Sequence, residues 1–170
     1  MRLTRRNFAA TSIGLATLPR LARAADLATP TDRVILTVSG KIGRTNGGGH
    51  ARFDRQMLEA LGPYGFTTRT PWYDGPMRFD GVRMSSLMEA VQAHGESVIA
   101  TALNDYETHI PISDFAEYGV LLAMKRNGEY MPVRDKGPLF ILYPFDENPT
   151  LQIQKIYGRC AWQLARMTIT

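Results

Sequence analysis

The dipeptide Asn127-Gly128 constrains this chain more than any other feature. It joins Val120–Lys125 to Glu129–Val133, and both of its residues tolerate the positive φ that a two-residue type I′ turn demands. The two runs therefore read as a β-hairpin. Arg33–Ser39, alternating and rich in β-branched residues, reads as a strand, as do Phe66–Trp72, Val98–Leu103 and Glu107–Ile110. Leu139–Tyr143 is apolar throughout and reads as a buried strand, and Cys160–Ile169 as the closing one. Helices are fewer and short. Phe53–Leu61 places Phe53, Met57, Leu58 and Leu61 on one face and stops at Gly62-Pro63. Ser85–His94 buries Leu87, Met88 and Val91, with Gly95 closing it. Ser113-Asp114 starts a helical turn, Asn46–Gly49 is a loop and Asp74-Gly75-Pro76 a turn. This pattern excludes a doubly wound α/β domain and predicts an α+β or mostly-β one.

The 170 residues carry a formal charge of +4. Residues 1–24 hold Arg2, Arg5, Arg6, Arg20 and Arg23 and no acid, which leaves 15 Lys and Arg against 16 Asp and Glu beyond them. The basic excess belongs to the N-terminus, so no nucleic-acid partner is expected. That N-terminus reads as a leader. A charged start precedes the apolar stretch Phe8–Leu18, and Ala22-Arg23-Ala24 fits a signal-peptidase site. Thr4-Arg5-Arg6-Asn7-Phe8 matches the twin-arginine pattern Ser/Thr-Arg-Arg-x-Phe. The apolar stretch falls short of the roughly 20 residues that a membrane-crossing helix needs. The expected organisation is a twin-arginine signal peptide over 1–24, a tether over 25–32 and one domain over 33–170, located in the periplasm and not itself membrane-spanning.

Most catalytic constellations are missing. There is no Gly-x-Ser-x-Gly elbow and no P-loop, and His50, His94 and His109 lack the i, i+4 spacing of a zinc helix. His94 reads as a helix cap, and Gly47-Gly48-Gly49 as a flexible loop. Cys160 is the single cysteine, so it forms no intramolecular disulfide and builds no Cys-rich zinc or iron–sulfur site. Beside Trp162 in a predicted strand, it reads as buried and inert. Three segments carry chemistry suited to a flat heterocycle. Thr70-Pro71-Trp72-Tyr73 sets an aromatic pair at a Pro-fixed bend. Leu103-Asn104-Asp105-Tyr106 combines an amide, a carboxylate and a phenol after a strand. Arg134-Asp135-Lys136 precedes a hydrophobic strand. Together they supply a ring to stack on, hydrogen-bonding groups for an amino-imine edge, and cations for an oxo group. No spacing rule requires the three segments to converge.

The order of these segments resembles a known family. Phe79-Asp-Gly-Val-Arg-Met-Ser-Ser-Leu-Met-Glu-Ala90 is similar to the Trp/Phe-x-Gly-Val-x-Leu-x-x-Leu-Leu segment of the oxidoreductase molybdopterin-binding domain, the sulfite oxidase fold. Asn104-Asp105-Tyr106 stands where that family has Asp-Gly-Tyr. Val120–Ala123 through Asn127-Gly128 resembles its Leu-Ala-x-x-x-Asn-Gly hairpin, and Lys136–Phe140 to Pro144 its Gly-x-Pro-Leu-Arg-x-x-x-Pro. The enzymes bind molybdenum through a cysteine that precedes the segment starting here at Phe79. In this chain that stretch, Thr67–Trp72, has none. The combination resembles the small exported members, the periplasmic pterin-responsive regulators of the PruR type. That resemblance implies a reduced pterin as ligand, no metal, and a partner in the periplasmic domain of a membrane-bound cyclic-di-GMP cyclase/phosphodiesterase. It implies a sensory protein, not an enzyme. Trp72 or Tyr106 would stack on the ring, and Asn104 or Asp105 would take the amino-pyrimidine edge. Arg134, Lys136 and Arg159 would meet the oxo group or side chain. The alternative is a molybdopterin-dependent oxidoreductase, or an accessory subunit of one; an accessory protein that binds no small molecule is a third class.

Overall fold

The computed structural model describes residues 26–170; the leader read on residues 1–24 lies outside them. Two sheets carry the fold. The first has the spatial order β2 (Ala51–Phe53), β1 (Leu36–Gly40), β10 (Leu164–Ile169), β5 (Ser97–Ala102), β6 (Glu107–Pro111). β1 and β10 run parallel, with Thr37 opposite Arg166, and the other neighbours are antiparallel. The second sheet sets β3 (Tyr64–Thr70) beside β4 (Tyr73–Arg83) and β4 beside β7 (Leu121–Arg126). The other edge of β7 takes both β8 (Glu129–Tyr130) and β9 (Phe140–Leu142). Four short helices connect them: α1 (Arg55–Glu59), α2 (Met84–Val91), α3 (Ser113–Glu117) and α4 (Gln154–Tyr157). None of the described helices is long and apolar enough to cross a membrane. The architecture is the α+β one expected, with mixed sheets and short helices.

The Asn-Gly hairpin forms as read. Asn127 and Gly128 take φ of 50° and 84°, and Arg126 pairs with Glu129. The Asn127 side chain also accepts the Arg78 N–H at 3.0 Å, which ties the turn to β4. Phe79, Val82, Leu122 and Phe140 from this sheet share one core with Leu36, Val38, Ala100 and Met167 from the first.

Three local readings are corrected. The chain reverses at Pro71-Trp72, with Thr70 opposite Tyr73, and Asp74-Gly75-Pro76 lies inside β4. Pro71 fixes φ for the bend and has no N–H to lose, while Gly75 takes a φ of 73° within the strand. Helix α2 ends on Gln92 in the left-handed region, not on Gly95. Gly95 is needed for close packing instead, since a Cβ there would lie 2.4 Å from the Thr170 carbonyl oxygen. The last strand starts at Leu164; residues 160–163 lead out of α4 and only bridge Trp162 to Phe140.

Residues before β1 are fastened to the domain. Leu27 donates to Thr45 O at 3.0 Å, and the Asn46 side chain donates to Ala28 O at 2.8 Å. Asp54, fully buried, organises the rest. As N-cap of α1 it accepts Met57 N–H at 2.9 Å, and its other oxygen accepts Thr31 N–H at 2.8 Å and Asp32 N–H at 3.2 Å. The Met57 bond, aided by the other backbone donors and opposed by burial, holds its pKa below the ordinary value. A lowered folded-state pKa contributes stability that is complete above the unfolded value and lost as pH falls through the folded one. Asp54→Ala should therefore cost about 2 kcal/mol or more at neutral pH. Urea unfolding at pH 7 and below pH 3 should show that deficit shrinking on acidification.

Candidate functional site

The reversal at Pro71-Trp72 delivers an indole to the place where α4 and the lead-in to β10 pass. Trp72 meets Trp162 with ring centroids 5.6 Å apart and Tyr157 at 6.0 Å, both edge to face. Phe140 on β9 backs the group, 5.5 Å from Trp72 and 6.1 Å from Trp162. Trp72, Tyr157 and Trp162 line a slot of about 350 Å³. Pro71, Ala102, Gly158 and Cys160 complete the lining, with Asn104, Tyr106 and Gln154 adding its polar groups. The volume lies at the small end of the range for ligand pockets, and the apolar walls with few polar groups are typical of them.

The loop after β5 is closed by its own backbone. Asp105 takes a φ of 61° and donates N–H to Ala102 O at 3.1 Å, while Ala102 donates to Tyr106 O at 2.9 Å. Asn104 Oδ1 accepts the Tyr106 N–H at 3.2 Å. The Tyr106 and Thr108 hydroxyls both donate to Gly158 O, at 3.3 and 2.8 Å, which pins the end of α4 against this loop. What remains unpaired is informative. The Asn104 and Gln154 amide nitrogens, both indole N–H groups and the Tyr157 hydroxyl have no hydrogen-bond partner among the described residues. The slot therefore offers flat faces to stack on and neutral donors and acceptors to read an edge.

Three of the seven residues expected at the site line the slot: Trp72, Asn104 and Tyr106. The other four do not. The Asp105 side chain is 82% exposed and pairs with Arg166 at 2.9 Å. Arg159 is turned inward, its guanidinium 2.5 Å from Asp114, which also accepts the Tyr143 hydroxyl at 2.6 Å. Burial first, and then Asp114, raises the pKa of Tyr143, which keeps that hydroxyl a donor. Arg134 is exposed on the 3₁₀ turn Val133–Asp135. Lys136 sits behind the slot wall, its Nζ 4.6 Å from the Tyr73 ring centre and 5.8 Å from that of Trp162. There Tyr73 donates to Asp135 at 2.9 Å and Arg126 pairs with Asp135 at 2.7 Å. Burial, with Asp135 as acceptor, pushes the Tyr73 pKa up to about 12. This cluster holds the turn whose Lys136 carbonyl accepts Gln163 N–H at 3.0 Å, next to Trp162.

Sequence reasoning misses Tyr157, Gln154 and Trp162 as wall residues. Gly158-Arg159-Cys160-Ala161-Trp162 is noticed for its charge, but here the charge is structural and its neighbours line the slot. A larger cavity of about 520 Å³ lies elsewhere, between Glu59, Tyr64, Arg78, Asp80 and Lys125. Its charges are already matched, Arg78 to Asp80 at 2.8 Å and Lys125 to Glu59 at 3.9 Å. The aromatic slot, with unused polar groups, is the better candidate.

The profile of the oxidoreductase molybdopterin binding domain matches residues 51–145. The chain belongs to that family. Among solved structures it is similar to the sulfane dehydrogenase SoxCD from Paracoccus pantotrophus, with a TM-score of 0.61 and 16% identity. That match covers 79% of this chain but 37% of the other, and it supports the shared fold alone. No curated protein matches the sequence.

The family implies a pterin group, and the slot can be tested against it. A bicyclic ring suits the aromatic walls and the neutral, unpaired donors and acceptors. A thiolate metal ligand does not fit the residues present. Thr67–Trp72 has no cysteine, and the hydroxyl of Thr68, fully buried there, accepts Asp146 N–H at 3.0 Å. Cys160 is 2% exposed, its thiol is directed to Ile156 O at 3.5 Å, and burial raises its pKa. No group of three or more His, Cys, Asp or Glu side chains among the described residues could hold a metal ion. Cys160 should thus resist a thiol reagent at pH 8 in the native protein and react fully in denaturant. Cys160→Ala should cost on the order of 1 kcal/mol of stability; rapid native-state labelling would show an accessible thiolate instead.

Proposed function

We propose that this protein binds a reduced pterin in the slot and serves as a periplasmic sensory protein. Its output would pass to the periplasmic domain of a membrane-bound cyclic-di-GMP cyclase/phosphodiesterase. The observation that carries the reading is the slot itself: Trp72, Tyr157 and Trp162, packed edge to face, wall a space of about 350 Å³ that also takes the Asn104 and Gln154 amides. Its membership of a molybdopterin-binding family is consistent with pterin chemistry. Trp72 and Trp162 stack and exclude water. The Asn104 and Gln154 amides supply the donors and acceptors that the amino-oxo edge needs. Cys160 closes the slot as an apolar surface. The leader pattern supports the compartment, because twin-arginine export delivers a folded domain.

Titration calorimetry with a tetrahydropterin tests the site. Trp72→Ala and Trp162→Ala should each weaken binding at least about tenfold, or 1.4 kcal/mol, and Asn104→Ala should weaken it measurably. Asp105→Ala and Glu129→Ala, outside the slot, should change affinity less than about twofold, well under 1 kcal/mol. Absence of heat with the wild-type protein at ~100 µM ligand, a level that misses only dissociation constants above roughly that value, would remove the basis of the proposal. Purified protein should also carry no stoichiometric molybdenum; one molybdenum per chain would favour the oxidoreductase.

Export has its own test. Arg5→Lys combined with Arg6→Lys should leave folded precursor in the cytoplasm. Unchanged periplasmic yield would assign the leader to the general secretory route.

A further inference from the structure

A second concavity, of about 450 Å³, lies where the chain entering β1 meets the start of β10 and the 3₁₀ turn after β8. Val34, Leu103 and Val133 line it at 39, 50 and 46% exposure, three of the exposed large hydrophobic residues of the described chain. Pro132, Pro138 and Met131 extend the apolar surface. Nothing in the domain covers these side chains.

Charge at this groove is net basic. The guanidinium groups of Arg33, in its lining, and of Arg134, next to Val133, are exposed and have no carboxylate or ring partner among the described residues. Arg55, also in the lining, rests on the Tyr130 ring at 4.1 Å and has no carboxylate partner among the described residues. The lining acid, Asp32, has Oδ1 occupied by the Arg33 N–H at 2.6 Å. The chain entering β1 is extended here, and the Val34 N–H makes no backbone hydrogen bond. An apolar floor and a basic rim suit one kind of occupant.

The groove also adjoins the aromatic slot. Leu103 lines the groove and the next residue, Asn104, lines the slot; Trp162 lines the slot and Leu164 the groove. The partition is hydrogen-bonded across both: Leu103 donates to Gln163 O at 2.9 Å, and Gln163 Nε2 donates to Val133 O at 2.7 Å. These bonds tie the chain neighbours of Asn104 and Trp162 to the groove residues Leu103 and Val133.

We infer that this groove docks an extended segment of a partner protein that presents aliphatic side chains to Val34, Leu103 and Val133 and carboxylates to Arg33 and Arg134. Its affinity for that segment changes with occupancy of the slot. The second statement rests on the pterin reading; the docking itself does not.

The probe is a pair of fluorescent eight-residue peptides, one alternating valine and glutamate, the other valine and lysine, followed by anisotropy with the purified protein. The glutamate peptide should bind at least tenfold tighter than the lysine peptide. Leu103→Asp and Val133→Asp, both at exposed sites, should each weaken it at least tenfold with circular dichroism unchanged. Arg33→Glu together with Arg134→Glu should reverse the preference between the peptides. Saturating tetrahydropterin should shift the glutamate-peptide affinity at least threefold. Equal binding of both peptides, no binding of either, or binding that survives the groove substitutions overturns the docking. A dimer in sedimentation that Val133→Asp dissolves overturns it too, and assigns the groove to a second copy. If tetrahydropterin binds but the peptide affinity does not move, the coupling fails while the pterin reading stands. If tetrahydropterin does not bind, the pterin reading and the coupling both fail, and the peptide comparisons still decide the groove.

Discussion

The buried pair Asp114–Arg159 fixes the part of the chain on which the slot depends. Arg159 lies between α4 and Trp162, in a segment with little regular structure of its own. Its guanidinium reaches Asp114 on α3 at 2.5 Å, and Tyr143 donates to the same carboxylate oxygen at 2.6 Å. Side-chain exposures of 14 and 7% leave little water to take over either partner. A buried pair of this kind adds little net stability over an apolar substitute, but removal of one member strands the other. Here it fixes position: the residues on either side, Gly158 and Cys160, line the slot, and Trp162 follows three residues later.

From that anchor the slot assembles through contacts of different kinds. Hydrogen bonds from Tyr106 and Thr108 to Gly158 hold the β5–β6 loop on one side. Edge-to-face packing on Phe140 holds both indoles on the other. The Tyr73–Asp135–Arg126 cluster holds the turn at Lys136, which in turn bonds the backbone next to Trp162. The charged residues around the slot are thus spent on one another. The polar groups left for a ligand are neutral, which suits an uncharged heterocycle and gives a metal no ligand set.

The elements with a local cause were legible in the sequence. The Asn127-Gly128 turn needs only its own two residues, and α1 and α2 follow from apolar spacing. The parallel pairing of β1 with β10 has no local signal, because it joins residues over a hundred positions apart. Asp74-Gly75-Pro76 has turn composition, yet Pro71 placed the bend earlier and cross-strand pairing carried Gly75 into β4. At the site, Trp72, Asn104 and Tyr106 were legible from residue type. Asp105, Arg134, Lys136 and Arg159 were chosen for charge; Arg134 faces solvent, and the partners of the other three, Arg166, Tyr73 and Asp114, come from distant segments that only folding brings near. Tyr157 and Trp162 gave no signal beyond being aromatic. The family pattern ends at residue 145, before either of them.

The most direct measurement of the central claim uses the fact that the protein has two tryptophans, Trp72 and Trp162, and that both line the slot. Tryptophan fluorescence lifetimes, which are insensitive to ligand absorbance, should fall saturably on titration with a tetrahydropterin and reach a plateau at one ligand per chain. Lifetimes that stay constant up to millimolar ligand, with the protein folded, would contradict the assignment of this slot to a pterin ring.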